Sequence, residues 1–446
     1  MKTQAPHSNR SKLLSVLLLA TVPLATIALQ VSTSPRNVDE FSVDPWGDLA
    51  GNAAGTAAVR KNDPNAIEAA FRLESYRPGS VATLRFHTTL RDVRLQVFLV
   101  GPEKARTMGA KEMRGVPVTR PVSIEQIRKG VHTTVTIGNW PSGLYFARLT
   151  APKGRIGYAP FVVSPRKLGQ HSVAVVLPTH TWQAYNFRDD DSDGHGDTWY
   201  ATWGHRTALL GRPYLNSGVP PHFRAYDLYF LRWLQRTNRH VDVLAQSDLD
   251  AVRSPHDLRA AYDLIVFPGH HEYVTTAEYD VIEGFRDLGG SLVFLSANNF
   301  FWRVDIRGDV MTRVAQWRDL GRPESALIGV QYIGNDSGQH RGPWLVRATS
   351  ASSWIFAGTG SAVGKPFANA GIEIDHTSSS SPRGTMVIAE IPNLFGPGMT
   401  GQMSYYETKR GAKVFAAGAF TLAGSIRQKP VAQLLENLWG HMVDEA

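Results

Sequence analysis

Residues 172–178 read Ser-Val-Ala-Val-Val-Leu-Pro, a near-continuous apolar run that is typical of a strand buried on both faces of a sheet. Further short apolar runs follow, separated by helical patterns, at 241–244, 263–267, 291–295 and 412–420. Apolar strands that alternate with helices predict an α/β domain with a parallel sheet covered on both faces. We place this domain at residues 166–446.

Three helices are predicted around this sheet. The strongest pattern spans Phe223 to Gln235 and carries Tyr226 on its apolar face. A second spans Thr276 to Leu288, where Gly289-Gly290 should end it, and a third spans Val431 to Met442. Residues 310–400 are rich in glycine and serine and strand-like, which predicts a β-rich insertion on the sheet.

The part of the chain before this domain has a different pattern. Residues 66–165 hold short alternating strands between Gly/Pro turns, which predicts an antiparallel β-sandwich. Residues 29–65 predict a flexible lead-in. The basic start and the apolar stretch Leu13–Leu29 predict that residues 1–28 are a cleaved export signal or an uncleaved membrane anchor. We therefore expect a protein that is secreted or anchored at the extracytoplasmic face.

The composition excludes several classes of partner and site. The 446 residues carry 47 Lys and Arg against 39 Asp and Glu, a net charge of +8, with no basic run of the kind that binds nucleic acid. No nucleic-acid partner is expected. The chain has no cysteine, so disulfides, thiolate zinc sites, iron–sulfur clusters and cysteine nucleophiles are excluded. A metal ion would need oxygen or imidazole ligands.

Polar side chains follow three of the predicted strands. Ligands of open parallel sheets bind beyond the carboxyl ends of the strands. Tyr185 follows the first strand, His270 and Glu272 follow the strand that ends at Phe267, and Asn298 follows the strand that ends at Leu295. The sequence thus predicts a phenol, an imidazole–carboxylate pair and an amide at one edge.

Each of these residues also has a purely structural interpretation. Tyr185 and Tyr226 could be ordinary packed aromatics, and Tyr226 fits the apolar stripe of its helix. Glu272 could cap the next helix or pair with an arginine, and Asn298 could cap a turn. His270 and His271 point to opposite sides of an extended segment, so they make a weak zinc pair.

Several motifs resemble one known family. The runs Thr181-Trp-Gln-Ala-Tyr-Asn186, Gly269-His-His-Glu-Tyr273 and Ser296-Ala-Asn-Asn299 are similar to the C-terminal domain of the N,N-dimethylformamidase large (beta) subunit. The turn Trp140-Pro-Ser-Gly-Leu-Tyr145 resembles the β-domain that precedes it. The resemblance implies an immunoglobulin-like sandwich followed by an α/β domain of class I glutamine amidotransferase-like architecture.

The resemblance also implies a metal centre. Carried onto this sequence, the family's mononuclear ferric iron, one per chain, would be held by Tyr185, Tyr226 and Glu272. A metal-bound hydroxide would attack an amide carbonyl, with His270 moving the proton and Asn298 orienting the substrate. The family further implies a small-molecule amide substrate and either a small second subunit or a homo-oligomer.

The segment after Tyr185 departs from the family, which usually has a short Gly-rich, Trp-containing turn there. In this chain Asp189, Asp191 and Asp193 have the spacing of the first half of a calcium loop, and Asp197 could add a carboxylate. Tyr200 stands where such a loop has its bidentate glutamate. Calcium (Ca²⁺) binding, a solvated acidic loop and a role in gating the substrate all remain open.

The leading hypothesis is an exported iron-dependent hydrolase that acts on non-peptide C–N bonds of linear amides. One alternative is a non-catalytic binding module that uses the same pocket. Another is a divalent-metal hydrolase that uses His270 or His271.

Overall fold

The computed structural model describes residues 63–201, 204–420 and 422–443. The predicted leader 1–28 and most of the lead-in 29–65 lie outside the described residues, so both stay predictions. Within the described ranges, no helix is both long enough and apolar enough to cross a membrane.

The first part of the described chain consists of β-strands: β1 (Ala69–Phe71), β2 (Ser75–Tyr76), β3 (Val81–Phe86), β4 (Leu90–Leu99), β5 (Val116–Pro117), β6 (Val122–Ile127), β7 (His132–Thr136), β8 (Gly143–Ala151) and β9 (Arg155–Val163). One sheet has the order β1-β3-β7, and the other has the order β2-β9-β8-β4-β5, with β6 on β4. Alternate residues of β3, Leu84 and Phe86 among them, are buried in one core with Tyr145 and Phe161 of the second sheet. The two sheets thus share a core, and their immunoglobulin-like classification stays a prediction.

The later strands are β10 (Val173–Leu177), β11 (Thr207–Leu209), β12 (Asp242–Ala245), β13 (Leu264–Phe267), β14 (Tyr273–Val274), β15 (Ser291–Phe294), β16 (Trp302–Arg307), β17 (Val310–Gln316), β18 (Gln331–Asn335), β19 (Arg341–Val346), β20 (Pro366–His376), β21 (Met386–Ile391), β22 (Gly401–Glu407), β23 (Lys413–Ala416) and β24 (Ala419–Phe420). The central sheet is parallel over β12-β10-β13-β15-β23 and continues antiparallel through β22, β21, β19, β20 and β18. Most of the predicted insertion therefore extends the central sheet itself. The resemblance of the whole α/β domain to class I glutamine amidotransferases stays a prediction.

The helices are α1 (Thr179–Ala184), α2 (Leu215–Gly218), α3 (Phe223–Tyr226), α4 (Leu228–Arg236), α5 (Gln246–Asp250), α6 (Pro255–Ala261), α7 (Thr276–Asp287), α8 (Glu324–Ile328) and α9 (Lys429–Met442). Alternate residues of β10 enter two cores. Val173 and Val175 pack in the cluster that includes α4 and α9, whereas Ala174 and Val176 pack in the cluster that includes α7. This two-sided burial explains why β10 is apolar throughout.

The sequence predicted one helix over 223–235, and the structure has two in its place, α3 and α4, so the prediction is wrong only in its continuity. The helix is interrupted at Asp227, whose φ of −112° lies outside the usual helical range. The buried Asp227 carboxyl accepts a hydrogen bond from the Trp182 indole at 3.3 Å, which fixes the residue at the break. As a result Tyr226 ends α3 and lies outside the apolar stripe of α4.

The β-domain and the α/β domain share a core. Phe98 and Phe146 of the β-domain belong to the same buried cluster as Phe230 of α4. Ser142, in the turn before β8, accepts a hydrogen bond from the backbone N–H of Val243 at 2.7 Å. This contact satisfies a backbone group on β12, the edge strand of the central sheet.

Candidate functional site

The strand-end residues meet as expected from a parallel sheet. Tyr185 follows α1, which begins two residues after β10, and Glu272 lies beyond the end of the neighbouring strand β13. The Tyr185 hydroxyl donates a hydrogen bond to Glu272 Oε2 at 2.7 Å. Burial raises the pKa of Glu272 to about 7, although hydrogen bonds from tyrosines oppose the shift.

Two further tyrosines, which the sequence did not single out as site residues, complete this cluster. The hydroxyl of Tyr200 lies 2.9 Å from that of Tyr185 and 3.2 Å from Glu272 Oε2, and it also contacts the hydroxyl of Tyr273. The Trp199 indole donates to Tyr273 at 3.1 Å. Burial, together with the Glu272 charge, raises the pKa of each phenol well above 10. In protein without a bound metal ion, the three phenols are therefore neutral hydrogen-bond donors.

His270 lies between two buried glutamates. Its Nε2 is 3.6 Å from Glu272 Oε2 and 3.5 Å from Glu373 Oε2. The ring packs against Phe420, with 4.7 Å between centroids, and burial lowers its pKa well below 6.5. An imidazole that is neutral at physiological pH can accept or pass on a proton.

Glu373 is the site residue that sequence reasoning missed entirely. It lies on β20, and burial followed by the charge of Glu272 raises its pKa well above 4.5. The neighbouring Asn298 side chain partly opposes this pKa shift. Asn298 has a left-handed φ of 52°, and its backbone N–H donates to Asp375 at 2.9 Å. Asn298 thus joins the site through residues of β20.

Tyr226 reaches the same region from α3. It lies in a small buried cluster with Ala297, Ile372 and Phe420, separate from the core that contains α4. Its ring centroid is 5.1 Å from that of Phe420, which in turn contacts His270. Burial and the nearby Glu373 raise the pKa of Tyr226 well above 10. The structure therefore places Tyr226 beside the proposed site, and its role as an iron ligand stays a prediction.

His271 belongs to different surroundings. Its ring lies 4.9 Å from that of Phe267, and its Nδ1 is 3.3 Å from the carbonyl oxygen of Gly269. Burial lowers its pKa to about 3. The two neighbouring imidazoles contact different residues, as their alternation along an extended segment suggests.

The acidic segment brings together three of its four predicted carboxylates. Ligand atoms of Asp189, Asp191 and Asp197 all lie within 4.8 Å of one another. Asp193 is not in this set and instead accepts from the His195 N–H at 2.7 Å. Asp190 pairs with Arg188 and with Arg212. Calcium binding at this segment stays a prediction.

The residues at the strand ends fit a hard metal ion. Phenol and carboxylate oxygens are the donors that a ferric ion favours, and a cation would lower the raised phenol pKa values and allow ionisation. Three buried polar atoms here have no hydrogen-bond partner among the described residues: His270 Nε2, Glu373 Oε2 and Asn298 Oδ1. Such atoms in one cluster are expected where a ligand or substrate binds.

The domain places a buried group of oxygen donors beyond the ends of its parallel strands. In α/β proteins this edge of the sheet is where ligands bind, so the arrangement is typical of an enzyme or a binding protein. Residues 128–433 match the family model described as N,N-dimethylformamidase beta subunit-like, C-terminal. The chain belongs to this family, as its motifs predicted.

Two named proteins are similar to part of this chain. The N,N-dimethylformamidase beta subunit of Paracoccus aminophilus is 27% identical over 160 residues, and that of an Alcaligenes species is 26% identical over 161 residues. These alignments cover 35% and 36% of this chain, and the matched part spans 21% of each relative. Among solved structures, superoxide reductase (neelaredoxin) from Ignicoccus hospitalis aligns with 14% identity over 22% of this chain and 78% of its own, at a TM-score of 0.14, too low to support an argument about fold.

Proposed function

We propose that this chain is a hydrolase that cleaves the C–N bond of a linear amide, with a ferric ion held by Tyr185, Tyr226 and Glu272. The observation that carries the proposal is the hydrogen bond from Tyr185 to Glu272 beside the buried His270. It joins residues from the ends of neighbouring strands in one oxygen-rich site. When bound, the ion would supply Lewis acidity, which polarises a carbonyl group and acidifies water.

The protein's own groups would handle the proton. His270 is buried, and its neutral imidazole can take a proton from an attacking water and give it to the departing amine nitrogen. Glu373, whose raised pKa favours the protonated form, can donate a hydrogen bond to the substrate or to His270. Asp375 holds the Asn298 backbone N–H, and the buried Asn298 Oδ1, which has no hydrogen-bond partner among the described residues, can contact the substrate.

The test combines metal analysis with a simple amide. Purified protein from iron-replete cells should contain about one iron per chain and show a visible tyrosinate charge-transfer band. With N,N-dimethylformamide, the substrate in the names of the relatives, dimethylamine should be released. Colourless protein that contains no iron and releases no amine would contradict the proposal.

The same measurement separates the alternatives. A binding module with this fold would release no amine whatever its metal content. A divalent-metal hydrolase would be active with zinc or manganese and would lack the visible band. Either result replaces the iron hydrolase as the function of this site.

Partner and location are further proposals. Because both relatives are named as beta subunits, we propose that this chain acts with a second subunit or as a homo-oligomer. Size-exclusion chromatography with light scattering would show the assembly. Export rests on the N-terminal sequence alone, and N-terminal sequencing of protein recovered outside the cytoplasm tests it.

A further inference from the structure

A second group of polar side chains, one buried and two half-buried, lies at the start of α1, and the proposed function does not use it. His180 is fully buried, and its Nε2 is 3.7 Å from Glu74 Oε2 and 3.8 Å from Asp250 Oδ2. Glu74 comes from the β-domain, and Asp250 ends α5. The group therefore lies where the β-domain meets the α/β domain.

The group has unsatisfied polar atoms. Neither ring nitrogen of His180 has a hydrogen-bond partner among the described residues, and the same holds for Glu74 Oε1. The His180–carboxylate separations exceed the 2.7–3.2 Å of a hydrogen bond. Buried polar atoms are rarely left unpaired, so the unpaired His180 Nε2 beside an unpaired Glu74 oxygen indicates a missing partner.

Both carboxylates are oriented by threonine hydroxyls. Thr179 Oγ1 donates to Glu74 Oε2 at 2.7 Å, and Thr275 Oγ1 donates to Asp250 Oδ1 at 2.5 Å. Hydrogen bonds of this kind are the usual outer support of metal-binding carboxylates. The arrangement leaves Asp250 Oδ2 directed toward the imidazole.

We propose that His180, Glu74 and Asp250 bind a divalent transition-metal ion, with zinc as the best candidate. An imidazole with two carboxylates is a ligand set for zinc and similar ions, whereas magnesium and calcium prefer oxygen alone. Around a tetrahedral ion with bonds of about 2.0–2.2 Å, neighbouring ligand atoms lie roughly 3.3–3.6 Å apart. The His180–carboxylate separations of 3.7 and 3.8 Å are slightly longer, so binding would draw the Glu74 and Asp250 carboxylates toward the imidazole and toward each other. The role is structural, because the ion would tie the β-domain to α1 and α5 in a chain without cysteine.

The site is distinct from the proposed iron centre. Tyr185 follows the other end of α1, and the ligands of the two sites do not overlap. Gln246 lies between them, since its Oε1 accepts from the backbone N–H of His180 at 3.0 Å and its Nε2 donates to the Tyr273 carbonyl at 2.8 Å. The zinc proposal therefore stands or fails independently of the iron proposal.

The test is zinc titration of the full chain after chelator treatment, in a Glu272→Gln background that disables the proposed iron centre. We expect uptake of about one zinc ion, a rise in the thermal unfolding midpoint, and an X-ray absorption spectrum with one imidazole among oxygen ligands. His180→Gln and Glu74→Gln should each weaken zinc binding more than 100-fold. Thr275→Val should weaken it about 10- to 100-fold, as loss of an outer hydrogen bond does.

Two controls separate this site from its surroundings. Glu278→Gln removes a neighbouring carboxyl that is not a proposed ligand, and Asp189→Asn disables the acidic segment. Both should keep full zinc uptake. The proposal would be overturned if the Glu272→Gln parent protein took up no zinc. It would also be overturned if adding His180→Gln left the zinc affinity unchanged. If His180→Gln does not fold, the Thr275→Val affinity and the absorption spectrum of the parent decide.

Discussion

The hydroxyl of Tyr200 lies 2.9 Å from the hydroxyl of Tyr185, which donates to Glu272. Tyr200 follows the acidic segment that departs from the family's usual turn. This segment therefore supplies a phenol to the site in addition to forming part of its surroundings. A hydrogen bond to Tyr185 would change the electron density on a phenolate that holds a metal ion.

The Tyr200→Phe substitution should alter the spectrum of the iron-loaded protein without removing the metal. It deletes one hydroxyl from the cluster and keeps the ring that stacks on Tyr185, with 4.5 Å between centroids. We expect a shifted visible band and a loss of about 1 kcal/mol in unfolding free energy, roughly one hydrogen bond. Tyr229→Phe, in α4 and outside the tyrosine cluster, is the matched control. An unshifted band in iron-loaded Tyr200→Phe would rule out this contact as a tuning element.

Local pattern predicted the meeting of Tyr185 with Glu272 because it depends only on strand order. Residues that follow adjacent parallel strands must emerge at one edge, and β10 pairs directly with β13. Asn298 was predicted for the same reason, since β15 is the next strand. Apolar runs were enough to locate these strands.

Glu373 and the break at Asp227 could not be predicted in this way. Glu373 comes from β20, an antiparallel strand whose pairing with distant strands leaves no local periodic signal. The apolar spacing of 223–235 continues through Asp227, so nothing in the pattern showed that its carboxyl is buried against Trp182. Tyr200 follows a loop without periodicity. In each case a tertiary contact determined the outcome.

The Tyr226→Phe substitution tests whether Tyr226 is a ligand or only a packed side chain. It removes one oxygen and keeps the contact with Phe420. A packed residue would lose about 1 kcal/mol or less, and the metal would stay. As a ligand, Tyr226 supplies an anionic donor, so we expect iron content to fall steeply and colour to fade while the fold survives. Full iron content with an unaltered spectrum, measured by elemental analysis and absorption, would refute the ligand role.

The acidic segment predicts a calcium response that depends on which aspartate is changed. If Asp189, Asp191 and Asp197 share an ion, added calcium should raise the thermal midpoint of chelator-treated protein. Asp189→Asn should abolish that rise, whereas Asp193→Asn should reduce it less, because Asp193 lies outside the set. A midpoint that does not change with calcium concentration favours the solvated-loop interpretation.

Asp375 predicts a pH-dependent stability difference in metal-free protein. Burial raises its pKa from 3.8 to about 7, so the folded state prefers the protonated carboxyl. The contribution of the protonated Asp375 carboxyl to the unfolding free energy is fully present below the unfolded-state pKa and is lost as the pH rises toward 7. Asp375→Asn keeps an acceptor for the Asn298 N–H and does not titrate. Relative to this variant, the wild-type unfolding free energy should fall by a few kcal/mol between about pH 4 and pH 7. Urea unfolding across this range checks the sign, and parallel curves for the two proteins would contradict it.

Glu373 and His270 should affect turnover without affecting iron content, since neither is a proposed ligand. His270→Ala removes the proton carrier, and a loss of about 10²- to 10⁴-fold in turnover is expected for general acid–base catalysis. Glu373→Ala should also lower turnover, because it removes the carboxyl that lies 3.5 Å from His270 Nε2 and next to the Asn298 side chain. Glu373→Gln keeps a hydrogen-bonding group of nearly the same shape, so it should restore part of the activity that Glu373→Ala loses.

Glu407→Gln is the control: it changes a carboxylate that accepts from Tyr405 on β22 and should leave turnover unchanged. Iron content and amine release are measured on the same preparations. Loss of iron in the His270→Ala protein would show that His270 holds the metal. Equal activity in the Glu373→Ala and Glu373→Gln proteins would show that the hydrogen-bonding capacity of residue 373 does not matter.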